Sequence, residues 1–217
     1  MRPPSAVPSH PFPARLDHLV LATPDLAATV ADFERRTGVR PAPGGAHPGL
    51  GTRNQLVSLG GSAYLEIIGP DPEQPGPEGP RPFGVDGLAG PRTVTWAIRT
   101  HDLDSAVAEA RAGGHDPGPV RSMRRRRPDG TLLEWRLTDG GAQASGLVPF
   151  LIDWGSSAHP TAAGLPVTPL LSLSASAPDP GEIAPRLSAL AAPLTVVPGE
   201  TGLTFTVDSP RGPVTFR

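Results

Sequence analysis

The sequence predicts an α+β protein with mixed sheets, on three observations. The run Leu16-Asp17-His18-Leu19-Val20-Leu21 leads into Thr23-Pro24-Asp25-Leu26, and the pattern returns as Val94-Thr95-Trp96-Ala97-Ile98-Arg99 followed by Thr100-His101-Asp102-Leu103. Aligning Thr23 with Thr100 and Asp25-Leu26 with Asp102-Leu103 sets His18 opposite Thr95 without a gap, so related modules follow one another. Each run continues from strand to amphipathic helix to further strands, and a third, fainter unit of this kind begins near Thr168. Such units in series require helices packed on mixed sheets.

The elements are read in order as follows. Residues 1–14 are rich in proline and lack any apolar period, so they are expected to form a flexible tail. In the first strand Leu16, His18 and Val20 should share one face, and Asp17, Leu19 and Leu21 the other. A helix should follow, with Thr23 as N-cap, Pro24 at its first position, Leu26, Val30 and Phe33 buried, and a stop at Gly38. The glycine-rich stretch from Pro43 to Asn54 reads as a connection to two strands, Gln55 to Leu59 and Tyr64 to Ile68, joined at Gly60-Gly61. Between Gly69 and Pro91 the chain is dense in proline and glycine, with Phe83, Val85 and Leu88 placed to pack down.

The second module repeats the plan, with Leu103, Val107 and Ala110 on the buried side of a helix ended by Gly113-Gly114. Two strands should meet at Pro128-Asp129-Gly130, and another, Leu147 to Ile152, runs into Asp153-Trp154-Gly155. In the third unit the strand Leu170 to Ala175 precedes a helix carrying Ile183, Leu187 and Leu190. Strands near Leu194 to Val197, Leu203 to Val207 and Val214 to Phe216 complete it. The division is therefore a tail over 1–14, paired modules over 15–155, and a third strand-helix-strand module over 165–217 packed on the first two.

Composition excludes several kinds of chemistry. The chain has 217 residues, 19 basic residues that are all arginine, and no cysteine. Without lysine there is neither a Schiff-base amine nor a Walker-type phosphate loop. Without cysteine there is no disulfide framework, thiolate metal site or thiol nucleophile. A net charge of −2 gives no general attraction to nucleic acid, and no run of apolar residues is long enough to span a membrane. A cytoplasmic location is expected, with a small-molecule partner, no nucleic acid and no membrane.

Taken together, the opening strand, Tyr64-Leu65-Glu66-Ile67-Ile68, His47-Pro48-Gly49-Leu50-Gly51-Thr52-Arg53-Asn54, Arg126-Arg127-Pro128-Asp129-Gly130-Thr131 and Pro149-Phe150-Leu151-Ile152-Asp153-Trp154-Gly155 carry a family resemblance. They resemble the glyoxalase-like branch of the vicinal oxygen chelate superfamily. The resemblance implies repeated βαβββ modules whose sheets curve around a shared cavity. In catalytic members a divalent metal sits on the inner wall. A homodimer is one assembly open to the chain.

Mapped by position, the ligand slots hold His18, Glu66, Thr95 and Glu134. His18, Glu66 and Glu134 would suit one Mn, Fe or Zn ion with open positions for a substrate bearing adjacent oxygens. Thr95 stands where a second histidine is usual, and its hydroxyl is a poor ligand. Alternation puts Tyr64, Glu66 and Ile68 on one face, and Leu132, Glu134 and Arg136 on another, inner one. Each residue also has a structural reading. His18 is either a ligand or a buried histidine bonded across the sheet, and Glu134 either a ligand or the ion-pair partner of Arg136.

His47, in the glycine-rich stretch, is read as a pocket-edge residue, and His159 is either similar or solvated. Asn54 either offers its amide to a substrate carbonyl or caps its own loop. Trp154, Thr95 and Arg136 complete the substrate-binding set. His101 and His115 are expected at the surface, and His10 in the tail. In the run Arg124-Arg125-Arg126-Arg127 alternate side chains face opposite ways, so one or two arginines should enter the cavity and favour an acidic ligand. Two functions remain open. One is a lyase, isomerase or dioxygenase of the glyoxalase-like type, with Glu66 and His18 in catalytic roles on a carbonyl or carboxylate compound. The other is a protein of this fold that only binds or sequesters a small molecule.

Overall fold

The computed structural model describes residues 15–127, 129–139 and 146–217. The expected tail, with His10, and Pro128 of the expected hairpin turn lie outside the described residues. The first module comprises β1 (Leu16–Ala22), α1 (Leu26–Thr37), β2 (Ala42–His47), β3 (Thr52–Ser58) and β4 (Tyr64–Pro70). The second repeats the order with β5 (Arg92–Arg99), α2 (Leu103–Ala112), β6 (Val120–Arg126), β7 (Leu132–Thr138) and β8 (Phe150–Asp153). These eight strands close into one barrel in the order β1-β4-β3-β2-β6-β7-β8-β5. In both modules the first strand pairs in parallel with the last, β1 with β4 and β5 with β8.

Local chemistry starts each helix. Asp25 caps α1 by accepting the Ala28 N–H at 2.9 Å, and Asp102 caps α2 through Ser105 at 3.0 Å. Such a cap contributes about 1 kcal/mol. Thr23 is therefore not the N-cap and Pro24 not the first helical residue. The Thr23 hydroxyl instead folds back to accept the Asp25 N–H at 3.1 Å and meets Thr29 at 2.7 Å, tightening the strand-to-helix turn. Thr29, Phe33 and Thr37 are the buried residues of α1, whereas Leu26 and Val30 are only partly covered.

The glycine-rich stretch is not merely a connection, because it contains β2. A Cβ at Gly44 would run into the Asn54 side-chain oxygen, and one at Gly45, with φ at +135°, into the Arg126 carbonyl. The first glycine makes room for the Asn54 amide and the second lets β2 approach β6, where the barrel closes through the pair Ala46 and Arg126. Its last strand also begins later than the expected Leu147, at Phe150.

The third unit has β9 (Leu170–Ala177), α3 (Ala184–Ala189), β10 (Thr195–Pro198), β11 (Gly202–Val207) and β12 (Val214–Phe216). Its wiring departs from the modules: in the order β10-β9-β11-β12, the strand just after the helix lies beside the first strand. This sheet covers the outer wall of the barrel. Leu19, Leu21, Trp96 and Ile98 of the barrel share one core with Phe33, Leu103, Leu173, Leu187, Leu203 and Phe205. Full burial of each such side chain stabilises the fold by about 1.5–3 kcal/mol. Among the described residues, no helix is long and apolar enough to cross a membrane.

Candidate functional site

The barrel wall behind this core leaves its inner face to a cavity of about 780 Å³ among the described residues. His18, His47, Tyr64, Glu66, Thr95, Arg125 and Trp154 all line it. Strict alternation along β1 fails at one point. The pairing of β1 with β5 slips between Leu16 and His18, so Leu16 joins Leu19 and Leu21 in the outer core while His18 lines the cavity. A bulge of this kind re-aims side chains, and here it allows adjacent Asp17 and His18 to touch.

Asp17 is fully buried and gathers four donors. His18 Nδ1 lies 2.7 Å from Oδ1, while His159 Nε2 at 3.1 Å, Trp154 Nε1 at 3.2 Å and Arg99 Nε at 3.1 Å reach Oδ2. Burial alone would raise the carboxyl pKa. Hydrogen bonds from His159 and His18 more than reverse that, and hold it far below the usual carboxylate range. An ionised carboxylate only accepts, so Nδ1 of His18 carries a proton toward Asp17 and its Nε2 faces Glu66. By the same logic His159 donates from Nε2, and its Nδ1 accepts from Thr161, whose N–H lies at 3.3 Å. His159 and Trp154 thus act on Asp17. Trp154 also borders the cavity, and the His18 ring stacks on Tyr64 at 4.7 Å between centroids.

Glu66 stands between two imidazoles. His18 Nε2 lies 3.8 Å from its Oε2, and His47 Nε2 lies 3.8 Å from its Oε1. The same Oε1 accepts the Asn54 amide at 2.5 Å, and the Asn54 oxygen accepts from Arg125 Nη1 at 3.2 Å. Asn54 therefore couples a buried carboxylate to a buried guanidinium. His47 lines the cavity from the end of β2 rather than from a loop; it is buried and bonds Thr52 at 3.1 Å. Burial pushes its imidazole down to about 4, with Arg125 adding to the shift and Glu66 opposing it. Tyr64 is pushed well above the ordinary phenol value by burial and by the nearby Asp17 and Glu66, so it stays neutral.

Arg125 was reachable in outline only, as one of an alternating run. It is 2 % exposed, and its Nε has no hydrogen-bond partner among the described residues. Burial pushes its pKa down from the usual arginine value, and Tyr64 and Glu66 oppose the shift. Its neighbours Arg124 and Arg126 point to solvent. Asp17 was missed altogether, because alternation placed it on the covered face and nothing in the sequence marks the bulge.

Two expected site residues are elsewhere. Glu134 is exposed, and Arg136 pairs outside the barrel with Asp104 of α2 at 2.7 Å. From β7 it is Trp135, Leu137 and Thr138 that line the cavity. The register is one residue off the expected one because apolar side chains face the cavity here, while the charged ones face water and the polar edge of α2. His115, expected at the surface, is buried and lines the cavity, whereas His101 is exposed.

The donor set does not fit a divalent metal. Thr95 offers a hydroxyl, Glu134 faces away, and among the described residues no group of three or more His, Cys, Asp or Glu side chains is arranged to hold an ion. His18 and His47 approach opposite oxygens of Glu66, one of them already taken by Asn54, and the Arg125 guanidinium shares that Asn54.

A family model described as a glyoxalase-like domain matches residues 16–191. No curated protein matches the chain. Among solved structures, a hypothetical protein from Staphylococcus aureus superposes with a TM-score of 0.60 at 13% identity, covering 81% of this chain and 74% of its own, and shares the fold. A methylmalonyl-CoA epimerase from Mycobacterium tuberculosis gives a TM-score of 0.43 at 20% identity, with 73% and 97% covered. A variant of the Streptomyces coelicolor methylmalonyl-CoA epimerase gives 0.43 at 21%, with 67% and 99% covered.

Proposed function

The chain belongs to the glyoxalase-like domain family of the vicinal oxygen chelate superfamily, and from that premise we propose that its cavity binds a small carboxylate with an enolisable carbonyl and moves a proton without a metal. The observation that carries this reading is Arg125: a buried guanidinium that lines the cavity and, among the described residues, bonds an amide oxygen rather than a carboxylate favours an anion beside it. Arg125 would hold the substrate carboxylate or the developing oxyanion, in a low-dielectric setting where such a contact is strong. His18 supplies the base. Its Nε2 lone pair, fixed by Asp17, takes a proton from the carbon beside the carbonyl: the C–H bond breaks, an N–H bond forms, and the electron pair moves to the carbonyl oxygen as an enolate. Return of the proton from Nε2 restores the ketone. Glu66, 3.8 Å from that nitrogen, steadies the imidazolium formed in between.

The test uses 2-oxohexanoate in D₂O, followed by loss of the proton signal at the carbon beside the ketone. Exchange should run faster with the protein than in buffer and fall to the buffer rate with His18→Ala. Arg125→Met should abolish saturation by the acid. If the acid binds but exchange stays at the buffer rate, the cavity only binds its ligand, the second reading of this fold. Added Mn or Zn should leave the melting temperature unchanged. A rise abolished by His18→Ala would restore a metal to the site.

A further inference from the structure

The remainder of the cavity specifies the body of the ligand. Along β6 the residues facing the cavity are Arg121, Met123 and Arg125, and on β7 Trp135 pairs with Met123 and Leu137 with Arg121. Alternate residues of a strand stand about 7 Å apart. Starting from the guanidinium of Arg125, the wall is therefore apolar for one such step, at Met123 and Trp135. A second step reaches Leu137 and then the charge of Arg121. Phe83 and Phe150 line the same cavity, with ring centroids 6.5 Å apart. None of Met123, Trp135, Leu137, Phe83 or Phe150 is fully buried, so each keeps apolar surface for something to cover. A volume of about 780 Å³ also exceeds what a three- or four-carbon acid occupies, and falls in the range of sites that enclose ligands of drug size.

We infer that the ligand is an amphipathic acid: a carboxylate seated on Arg125, joined to an aromatic ring or a medium-length alkyl chain lying along Met123, Trp135 and Leu137. This rests on the anion-binding reading above. A short acid would satisfy the guanidinium yet leave the apolar wall wet, and a neutral apolar molecule would leave the buried cation unpaired. Only a molecule with both parts meets both demands.

The experiment is isothermal titration of the full chain with propionate, hexanoate, 3-phenylpropionate and 3-phenylpropan-1-ol. Hexanoate and 3-phenylpropionate should bind at least about tenfold more tightly than propionate, since they add several buried carbons, and the alcohol should bind far more weakly than the acid of the same skeleton. Met123→Ala and Trp135→Ala should each shrink the ratio between 3-phenylpropionate and propionate. The second variant removes a ring that packs on Trp154, so Met123→Ala decides if it fails to fold. Equal affinity for all three acids overturns the apolar-body inference and leaves anion binding intact. If the alcohol binds as tightly as 3-phenylpropionate, the anion reading fails instead.

Discussion

At the scale of single residues, the cavity depends on buried charges whose partners are few and specific. Asp17 is the sharpest case, since one carboxylate serves His18, His159, Trp154 and Arg99. Asp17→Asn keeps the volume but replaces an acceptor oxygen with a donor, leaving a cation and at least one imidazole badly paired. Breaking a buried pair in this way costs about 3–5 kcal/mol, so chemical denaturation should show a loss of that order. His47 makes stability depend on acid. Its folded pKa, about 4, lies below the ordinary 6.5, so between those values the unfolded chain binds the proton and the native chain does not. Stability is complete above about pH 6.5 and falls as pH drops toward 4, by roughly 3 kcal/mol at the acid end. Asp17, whose pKa is also depressed, adds a further loss below 3.8. His47→Gln should flatten the upper part of that slope in urea titrations at pH 7, 6 and 5.

At the scale of elements, a column of rings ties the third unit to the first helix. Phe205 of β11 stacks on Phe216 of β12 at 5.2 Å, and Phe216 stacks on Phe33 of α1 at 5.1 Å. Arg36 of α1 lies over the Phe216 ring, 4.2 Å from its centroid. Phe205 is wholly enclosed, so Phe205→Ala opens a cavity that its neighbours can only partly fill. The expected loss is about 3–5 kcal/mol, measurable as a lower denaturation midpoint. Because the column lies on the outer wall, hexanoate affinity should survive at temperatures where the variant is folded.

For the whole molecule, the barrel and the added sheet share a single core, in which Leu173, Leu187, Leu203 and Phe205 of the third unit join Phe33 of α1 and Leu103 of α2 over the outer wall of β1 and β5. The backbone joins them too: Thr93 N–H donates to the Arg217 carbonyl at 3.0 Å, and Ser58 N–H to that of Pro166 at 2.8 Å. Ending the chain after Ala163 would expose Leu19, Leu21, Trp96 and Ile98 together. An apolar patch of that extent drives aggregation. The truncated protein should therefore be insoluble, or lack a cooperative thermal transition in calorimetry, and a soluble fragment that melts cooperatively would contradict a shared core.

The modular plan was legible from residues alone. The offset between Thr23-Pro24-Asp25-Leu26 and Thr100-His101-Asp102-Leu103 reflects a repeated strand-helix turn, and turn chemistry is local. His18, Glu66 and Thr95 could likewise be set on one wall, because the repeat and the two-residue period of strands both place them there. What the tertiary structure decided lies where period and neighbourhood part company. A bulge turned Asp17 toward His18, and a shift of one residue in β7 sent Glu134 and Arg136 outward while bringing Trp135 and Leu137 in. Gly44 and Gly45 read as punctuation until Asn54 and Arg126 were seen against them. Arg125, one of four consecutive arginines, is buried against the cavity only through the strands that close over it. Register and closure depend on contacts between residues far apart in the chain, and no local pattern encodes those contacts.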